Sequence, residues 1–277
     1  MIADNSLMKV LYQFDLNAEP TQLEGGSQAT FRVGDVVLKQ VKETSLENNH
    51  SPKLMVWIAQ FSQEIIQQGF RIPKPIAMSN GDLINEDGWT AWTFLAGRHA
   101  QLDQVPQCIT AILDFHKALK NIANHPLMDD NRTPWGKAHQ WCWGDKPDFV
   151  QPKLQDWVNR LYSLRKPISG LKSQLIHGDL NPENILVAPD LPPAFIDFSP
   201  FWAPPEFAVA IFANFIGPRQ GDISVLKDFS EIKHFDQLLI RASIRMLLVM
   251  SELDALDDWE NCSEKKAAEM VIDYVSG

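Results

Sequence analysis

The segment from Leu175 to Ser199 constrains the fold most strongly, because it combines short apolar runs with polar clusters at fixed spacing. The first cluster, His177-Gly178-Asp179, is followed by the turn signal Asn181-Pro182 and then by Asn184. The branched run after it indicates a strand, and Asp197 ends the next apolar run. The spacing therefore predicts a loop, a strand, a turn and a second strand that bring Asp179, Asn184 and Asp197 to one end.

These three side chains offer oxygen ligands and no thiol. Such a set suits a hard cation that keeps water and phosphate oxygens, so it favours Mg²⁺ over Zn²⁺. An aspartate or asparagine taken singly is equally typical of a turn cap. It is the complete set at this spacing that indicates a functional site.

The sequence HGDLNPENIL, followed by IDFS, resembles the catalytic and metal-binding loops of the aminoglycoside phosphotransferase and choline kinase group. These enzymes are small-molecule relatives of the protein kinases, whose H-R-D-x-x-x-x-N and D-F-G motifs have the same layout. The resemblance implies that Asp179 orients the attacking hydroxyl and accepts its proton. It also implies that Asn184 and Asp197 hold Mg²⁺ against the phosphates of ATP. We expect His177 to brace the loop by hydrogen bonding and not to be the base itself.

The same resemblance implies an α+β, two-lobed, protein-kinase-like fold. Residues 1–97 would form a small, mainly antiparallel β lobe with one helix and the hinge, and residues 98–277 a larger, mostly helical lobe with the catalytic and metal-binding loops. The residues implied to bind the nucleotide are Gly25, Gly26 and Ser27 at the phosphates, Lys39 at the α- and β-phosphates, the backbone of Thr93, Phe94 and Leu95 at the adenine edge, and Leu186 and Ile196 as an apolar platform under the adenine.

Two β-rich runs on either side of Gly34-Asp35 predict a hairpin near the start of the chain. Gly25-Gly26 would let backbone N–H groups approach a phosphate, although a plain turn explains this pair as well. Lys39 lies in the middle of the second run, where the family places its phosphate-binding lysine. The alternative for Lys39 is the solvated side of a strand.

The spacing predicts a helix over residues 51–69, capped by Ser51, with Pro52 in its first turn and Gly69 at its stop. The family pairs its lysine with a glutamate on this helix. Glu47 and Glu64 lie toward the two ends and neither matches, so the partner of Lys39 stays unassigned.

The rest of the sequence is mostly helical in pattern, over residues 104–120, 154–164, 207–215, 235–253 and 263–275. His116 falls on an apolar face, which is typical of a hydrogen-bonded core histidine. Residues 129–152 are aromatic-rich and predicted irregular, either covering a substrate or packing the lobe. Because Gly178 replaces the arginine of H-R-D and no A-P-E segment follows, a protein kinase is disfavoured.

A net charge of −10 argues against nucleic acid as a partner and is compatible with a cationic acceptor. Three scattered cysteines indicate neither a disulfide framework nor a zinc site. The N-terminus lacks the pattern of a signal peptide, and the apolar segment 238–250 is too short to span a membrane and contains Arg241 and Arg245. We therefore expect a cytoplasmic protein without a membrane partner.

The sequence thus predicts an ATP- and Mg²⁺-dependent phosphotransferase that transfers the γ-phosphate to a hydroxyl of a small molecule. The alternative is a nucleotide-binding pseudokinase or ligand sensor without transfer activity, and a metal-assisted hydrolase is the third reading. The motifs leave open the acceptor (an aminoglycoside, choline, a sugar or an amino acid), the choice between ATP and GTP, and the oligomeric state.

Overall fold

The computed structural model describes residues 5–23, 30–41, 51–129 and 133–277. The predicted phosphate-binding residues Gly25, Gly26 and Ser27 lie outside these ranges, as does Glu47. Nothing in the structure therefore bears on those four predictions.

The first part of the chain is a five-stranded antiparallel sheet with two helices. Its elements are α1 (Asn5–Gln13), β1 (Thr21–Gln22), β2 (Thr30–Val33), β3 (Val36–Gln40), α2 (Pro52–Glu64), β4 (Pro75–Ile76) and β5 (Trp89–Thr93), and the strand order is β1-β2-β3-β5-β4. The predicted hairpin is β2 and β3, joined at Gly34, whose φ of +61° suits a residue without a Cβ. Lys39 consequently lies in the central strand of the sheet, opposite Thr30 and Thr90.

Helix α2 begins as predicted but ends earlier. Ser51 accepts a hydrogen bond from the N–H of Leu54 and caps the helix, which stops at Glu64 and not at Gly69. The reason is a contact from outside the helix, since the ammonium of Lys74 binds the carbonyls of Ser62, Gln63 and Ile65. A cation at these last carbonyls satisfies acceptors that the helix leaves open, so the chain can turn away there.

The second part is mostly helical. Its elements are β6 (Arg98–His99), α3 (Val105–Leu119), α4 (Pro134–Trp143), α5 (Gln155–Leu164), β7 (Gln174–His177), β8 (Ile185–Ala188), β9 (Leu191–Phe195), β10 (Pro200–Ala203), α6 (Pro205–Ile216), α7 (Phe235–Leu253) and α8 (Ser263–Ser276). Two small antiparallel sheets, β6-β8-β9 and β10-β7, support the segment 177–199. The prediction of an irregular segment over 129–152 was wrong for α4, which Thr133 caps through the N–H of Gly136 and which packs on α7.

The hydrophobic core crosses the predicted lobe boundary. Leu7, Val10 and Leu11 of α1, with Phe14 just after it, pack on the sheet in a small cluster of their own. The buried face of α2, by contrast, belongs to the large cluster that also contains α3, α6 and α7. Helix α2 therefore couples the sheet to the helical part, and the boundary at residue 97 stays a prediction.

Within the described ranges, no helix is both long and apolar enough to cross a lipid bilayer.

Candidate active site

The catalytic loop is built by the polar side chains between β7 and β8. Asn181 caps the short turn Pro182–Asn184 by accepting the N–H groups of Glu183 and Asn184. Its amide nitrogen lies 3.2 Å from Asp179 Oδ1, and the Asn184 amide nitrogen lies 3.0 Å from Asp179 Oδ2 and 2.8 Å from the Asp179 carbonyl. Both carboxylate oxygens of Asp179 are therefore held by donors, and its orientation is fixed before a substrate binds.

His177 braces this loop through both ring nitrogens. Its Nδ1 accepts the N–H of Asp179 at 3.2 Å, and its Nε2 lies 3.0 Å from the carbonyl of Ile196. Because Nδ1 is the acceptor, Nε2 carries the proton and donates it to Ile196. The fully buried ring thus ties the catalytic loop to the residue before Asp197, as predicted.

His116 supports His177 from helix α3. Its Nδ1 lies 2.7 Å from the carbonyl of Ile112, and its Nε2 accepts the N–H of His177 at 3.1 Å. The side chain is 1% exposed, and burial lowers its pKa to about 4, a shift that the Ile112 carbonyl opposes. His116 is therefore a neutral, hydrogen-bonded core residue, as the sequence predicted.

We expect the buried histidine His116 to make the protein less stable in acid. It stays neutral in the folded chain at about pH 5, whereas its ordinary pKa of 6.5 lets the unfolded chain bind a proton there. Lowering the pH from about 7 to about 5 should therefore cost about 2 kcal/mol of unfolding free energy through this residue. Urea unfolding of the wild type and of His116→Gln at both pH values measures this loss of stability. An equal pH dependence of the unfolding free energy in the two proteins would contradict the prediction.

The two predicted metal ligands are joined through the backbone. The N–H of Ile196 donates to the carbonyl of Asn184 at 3.0 Å, so Asp197 follows directly after a residue bonded to Asn184. Asp197 has a φ of +55°, a conformation that aspartate tolerates better than most residues. Its carboxylate forms an ion pair with the ammonium of Lys39. Asp197 is therefore next to Lys39 through its side chain and next to Asn184 through the backbone of the preceding residue.

The Lys39 and Asp197 side chains keep 24% and 40% of their surface exposed, so a ligand can reach both from solvent. Burial lowers the pKa of the Lys39 ammonium. The pair is a preformed arrangement of one cation and one carboxylate.

The oxygen atoms at this position fit Mg²⁺. The amide nitrogen of Asn184 donates to Asp179, so its Oδ1 is the atom that could accept a cation. Among the described residues, no group of three or more His, Cys, Asp and Glu side chains could hold a metal. A small set of protein ligands is what Mg²⁺ uses when phosphate and water complete its coordination.

Phe198 fixes the loop that carries Asp197. Its ring lies 5.5 Å from Phe61 of α2, 5.8 Å from Phe115 of α3 and 5.2 Å from His177, in edge-on geometry. Such aromatic pairs stabilise beyond their buried area. Through Phe198, helix α2 contacts both the metal-binding loop and the catalytic loop.

The buried face of α2 carries no carboxylate; it consists of Leu54, Met55, Ile58, Ala59, Phe61 and Ser62. Glu64 is exposed at the end of the helix. The described part of α2 therefore offers Lys39 no glutamate, in agreement with the mismatch noted in the sequence. The ion pair that the structure describes for the Lys39 ammonium is with the carboxylate of Asp197.

The hydrogen bonds of the hinge show which of the three backbone N–H groups predicted to meet the adenine are already used. The N–H of Thr93 donates to the carbonyl of Lys74 and the N–H of Phe94 to that of Asp35, both at 2.8 Å. Of the three residues, Leu95 is the one whose N–H makes no hydrogen bond within the described part of the chain. Gly97 then passes so close to Leu186 that a Cβ on it would lie 2.8 Å from the Leu186 Cβ.

Leu186 and Ile196, the residues predicted to lie under the adenine, belong to the β8–β9 hairpin and to the residue that follows it. Leu186 pairs with His99 on one side and Ala194 on the other, and it stays partly exposed. Ile196, also partly exposed, follows β9 directly and precedes Asp197. The two residues thus lie close along the chain to the predicted metal ligands Asn184 and Asp197, and Gly97 of the hinge contacts Leu186.

Two residues escaped the sequence interpretation. Asn181 was taken only as a turn former, yet it also donates to Asp179. Arg245 was noted only as a charge within an apolar segment, yet its Nη1 donates to the carbonyl of Gly178 at 2.7 Å. An arginine within the apolar segment 238–250 was the available signal, but its partner lies far away in sequence.

Comparison with solved structures finds the same fold in small-molecule kinases. The structure is similar to the GDP complex of aminoglycoside 2'-phosphotransferase-IIIa, with a TM-score of 0.60 and 14% identity over 99% of both chains. It is similar to an amicoumacin kinase in complex with AMP-PNP and Ca²⁺, with a TM-score of 0.63 and 15% identity over 99% of this chain and 93% of that one. It is similar to a choline kinase from Streptococcus pneumoniae, with a TM-score of 0.63 and 12% identity over 98% of both chains.

These likenesses confirm the α+β, two-lobed, protein-kinase-like fold. No match was found among curated proteins. The model of the phosphotransferase enzyme family matches residues 20–242, which include Lys39, the catalytic loop and the metal-binding loop. The chain therefore belongs to the phosphotransferase enzyme family.

Proposed function

We propose that the protein transfers the γ-phosphate of ATP to a hydroxyl group of a small molecule in a Mg²⁺-dependent reaction. The observation that carries the proposal is the hydrogen-bonded pair Asp179–Asn184 and the ion pair Lys39–Asp197, linked by the backbone bond from Ile196 to Asn184, in a chain of this family. Phosphoryl transfer demands mainly positioning and charge neutralisation, and these four side chains supply both.

Each side chain has a separate task in this proposal. Asp179, whose carboxylate is oriented by Asn181 and Asn184, aligns the acceptor hydroxyl and takes its proton. Asn184 and Asp197 hold Mg²⁺, which when bound neutralises charge on the phosphate oxygens. Lys39 leaves Asp197 for the α- and β-phosphates and adds a point charge there.

The nucleotide lies between the hinge and the β8–β9 hairpin. The N–H of Leu95 donates to the adenine edge, and Leu186 and Ile196 cover one face of the base. Gly25, Gly26 and Ser27 are proposed to bind the phosphates, and this part of the proposal is based on the sequence alone. Nucleotide complexes of structurally similar kinases support a nucleotide site in this fold.

The acceptor is a small hydroxylated molecule, and the net charge of −10 favours a cationic one. The similar structures include kinases named for choline and for aminoglycosides, which carry both a hydroxyl and a positive charge. The cytoplasm is the compartment we propose, since Cys108, Cys142 and Cys262 are free thiols. Family membership and the joint presence of Asp179, Asn184, Asp197 and Lys39 favour transfer over the alternative of an inactive nucleotide sensor.

The proposal is tested by turnover. With Mg²⁺ and ATP we expect ADP release that depends on the acceptor, in a panel that includes choline, an aminoglycoside and a simple sugar, and a product heavier by one phosphate in mass spectrometry. A chelator should stop the reaction, and GTP in place of ATP measures the nucleotide preference. ATP binding without turnover on any acceptor would favour the sensor.

A further inference from the structure

Arg245 is a buried cation whose direct hydrogen bond goes to the catalytic loop. The side chain lies on α7 and is 3% exposed. Its Nη1 donates to the carbonyl of Gly178, the residue before Asp179, at 2.7 Å. Its guanidinium lies between two aromatic rings, 4.5 Å from the centre of Phe201 and 5.0 Å from that of Trp135.

The hydrogen bond from Arg245 is the second of two that hold the Gly178–Asp179 peptide group in place. The carbonyl of the Gly178–Asp179 peptide accepts Arg245 Nη1, and its N–H donates to His177 Nδ1. With both ends held by buried side chains, the peptide plane cannot rotate, and that plane sets the direction in which the Asp179 side chain leaves the backbone. Phe201 closes the remaining side, since its ring lies 2.1 Å from where a Cβ on Gly178 would be.

The arrangement is costly for stability, which argues for a role in the reaction. No carboxylate of a described residue forms an ion pair with Arg245, and no described residue accepts a bond from its Nε or Nη2. A buried charge with one hydrogen bond is expensive unless it is well paired, and the aromatic faces compensate only in part. An apolar residue at this position of α7 would be buried at a lower cost in free energy.

We propose that Arg245 is a positioning residue for phosphoryl transfer, which holds the Gly178–Asp179 peptide so that the carboxylate of Asp179 points at the acceptor hydroxyl. The inference rests on the transfer reaction proposed above. It assigns to a distant helix a part in aligning the catalytic loop, and it explains why Gly178 occupies the position of the H-R-D arginine: the ring of Phe201 and the guanidinium behind it fill the space.

Arg241 provides a matched control one turn earlier on the same helix. It is 4% exposed, and its guanidinium lies 5.2 Å from the centre of the Trp143 ring. Its hydrogen bonds go to the carbonyls of Gln237 and Lys166, both at 2.8 Å, and not to the catalytic loop. Replacing either arginine removes a buried cation from α7, but only one replacement releases the Gly178 carbonyl.

The test compares Arg245→Met, Arg245→Lys and Arg241→Met with the wild type, using Mg²⁺-ATP and whichever of choline, the aminoglycoside and the sugar is turned over. We expect Arg245→Met to lower kcat by roughly 10- to 100-fold with the KM for ATP changed by less than about 2-fold, because a small misplacement of a reacting group has effects of this size. Arg245→Lys restores a donor and should recover part of kcat. Arg241→Met should keep kcat within about 2-fold of the wild type.

Equal kcat values for Arg245→Met and Arg241→Met would overturn the inference, and so would a loss in Arg245→Met that a lysine does not reduce. Hydrogen exchange of residues 175–186 gives a readout that needs no turnover: we expect faster exchange in Arg245→Met than in Arg241→Met, and equal exchange would also overturn the inference. If the wild type shows no turnover, the transfer reaction fails, while the exchange comparison still decides whether Arg245 holds the loop.

Discussion

Replacing Asp179 by alanine should lower kcat for phosphoryl transfer by about 1,000-fold or more while changing the affinity for Mg²⁺-ATP by less than about 3-fold. A positioned general base contributes roughly 10²- to 10⁴-fold, and Asp179 also orients the hydroxyl. The affinity should persist because the Asn184 amide keeps its 2.8 Å bond to the backbone carbonyl of residue 179, so the metal ligand stays in place.

Alanine is a better probe at this position than asparagine. The two oxygens of Asp179 each accept a bond, one from Asn181 and one from Asn184, so an asparagine would turn its own NH₂ group toward one of these donors. Asn181 cannot flip to accommodate it, because its oxygen already caps the N–H groups of Glu183 and Asn184. An asparagine variant would therefore disturb the loop as well as the chemistry.

Glu183→Ala is the control for Asp179→Ala, since it removes an exposed carboxylate from the same loop. Steady-state kinetics and calorimetry with Mg²⁺-ATP measure both variants. The control should keep its kcat within about 2-fold. If Asp179→Ala retained turnover, its role as base would be wrong; if it lost ATP binding, the loop would depend on the carboxylate for its structure.

The parts of the site that the sequence predicted are those in which spacing alone determines the geometry. Asp179 and Asn184 lie on one short loop, and Asp197 follows a strand that pairs with the strand after Asn184. A strand pair of fixed length brings such residues together whatever surrounds them. Lys39 lies on the predicted hairpin, but its place at the site was expected from the resemblance and not from spacing alone.

The parts that the sequence did not predict depend on contacts between distant segments. Lys74 ends α2 from outside that helix, and nothing in the sequence near Glu64 signals a stop. The helix α4 has a weak periodic pattern, because its aromatic residues are spread around it, and it is supported by packing on α7. Arg245 belongs to the same class, since no local pattern links an arginine on α7 to the carbonyl of Gly178.

Replacing Asp197 by asparagine should weaken Mg²⁺-ATP binding by more than about 100-fold. Mutation of residues that only support a metal ligand costs about 10- to 100-fold in affinity, so losing the charge of the ligand itself should cost more. Asparagine keeps the shape of the side chain and tolerates the φ of +55°, which separates the lost charge from a change in the backbone. Without Mg²⁺, the wild type and the variant should bind ATP with similar, weak affinity.

The chain supplies a matched control for Asp197→Asn. Asp190 has nearly the same backbone conformation, with a φ of +59°, but it lies in the exposed turn between β8 and β9. Asp190→Asn should leave Mg²⁺-ATP binding within about 2-fold in calorimetry. Because Asp197 also pairs with Lys39, the decisive comparison is between titrations with Mg²⁺ and with a chelator. Equal weakening in both would mean that Asp197 acts by holding Lys39, and its assignment as a metal ligand would then be wrong.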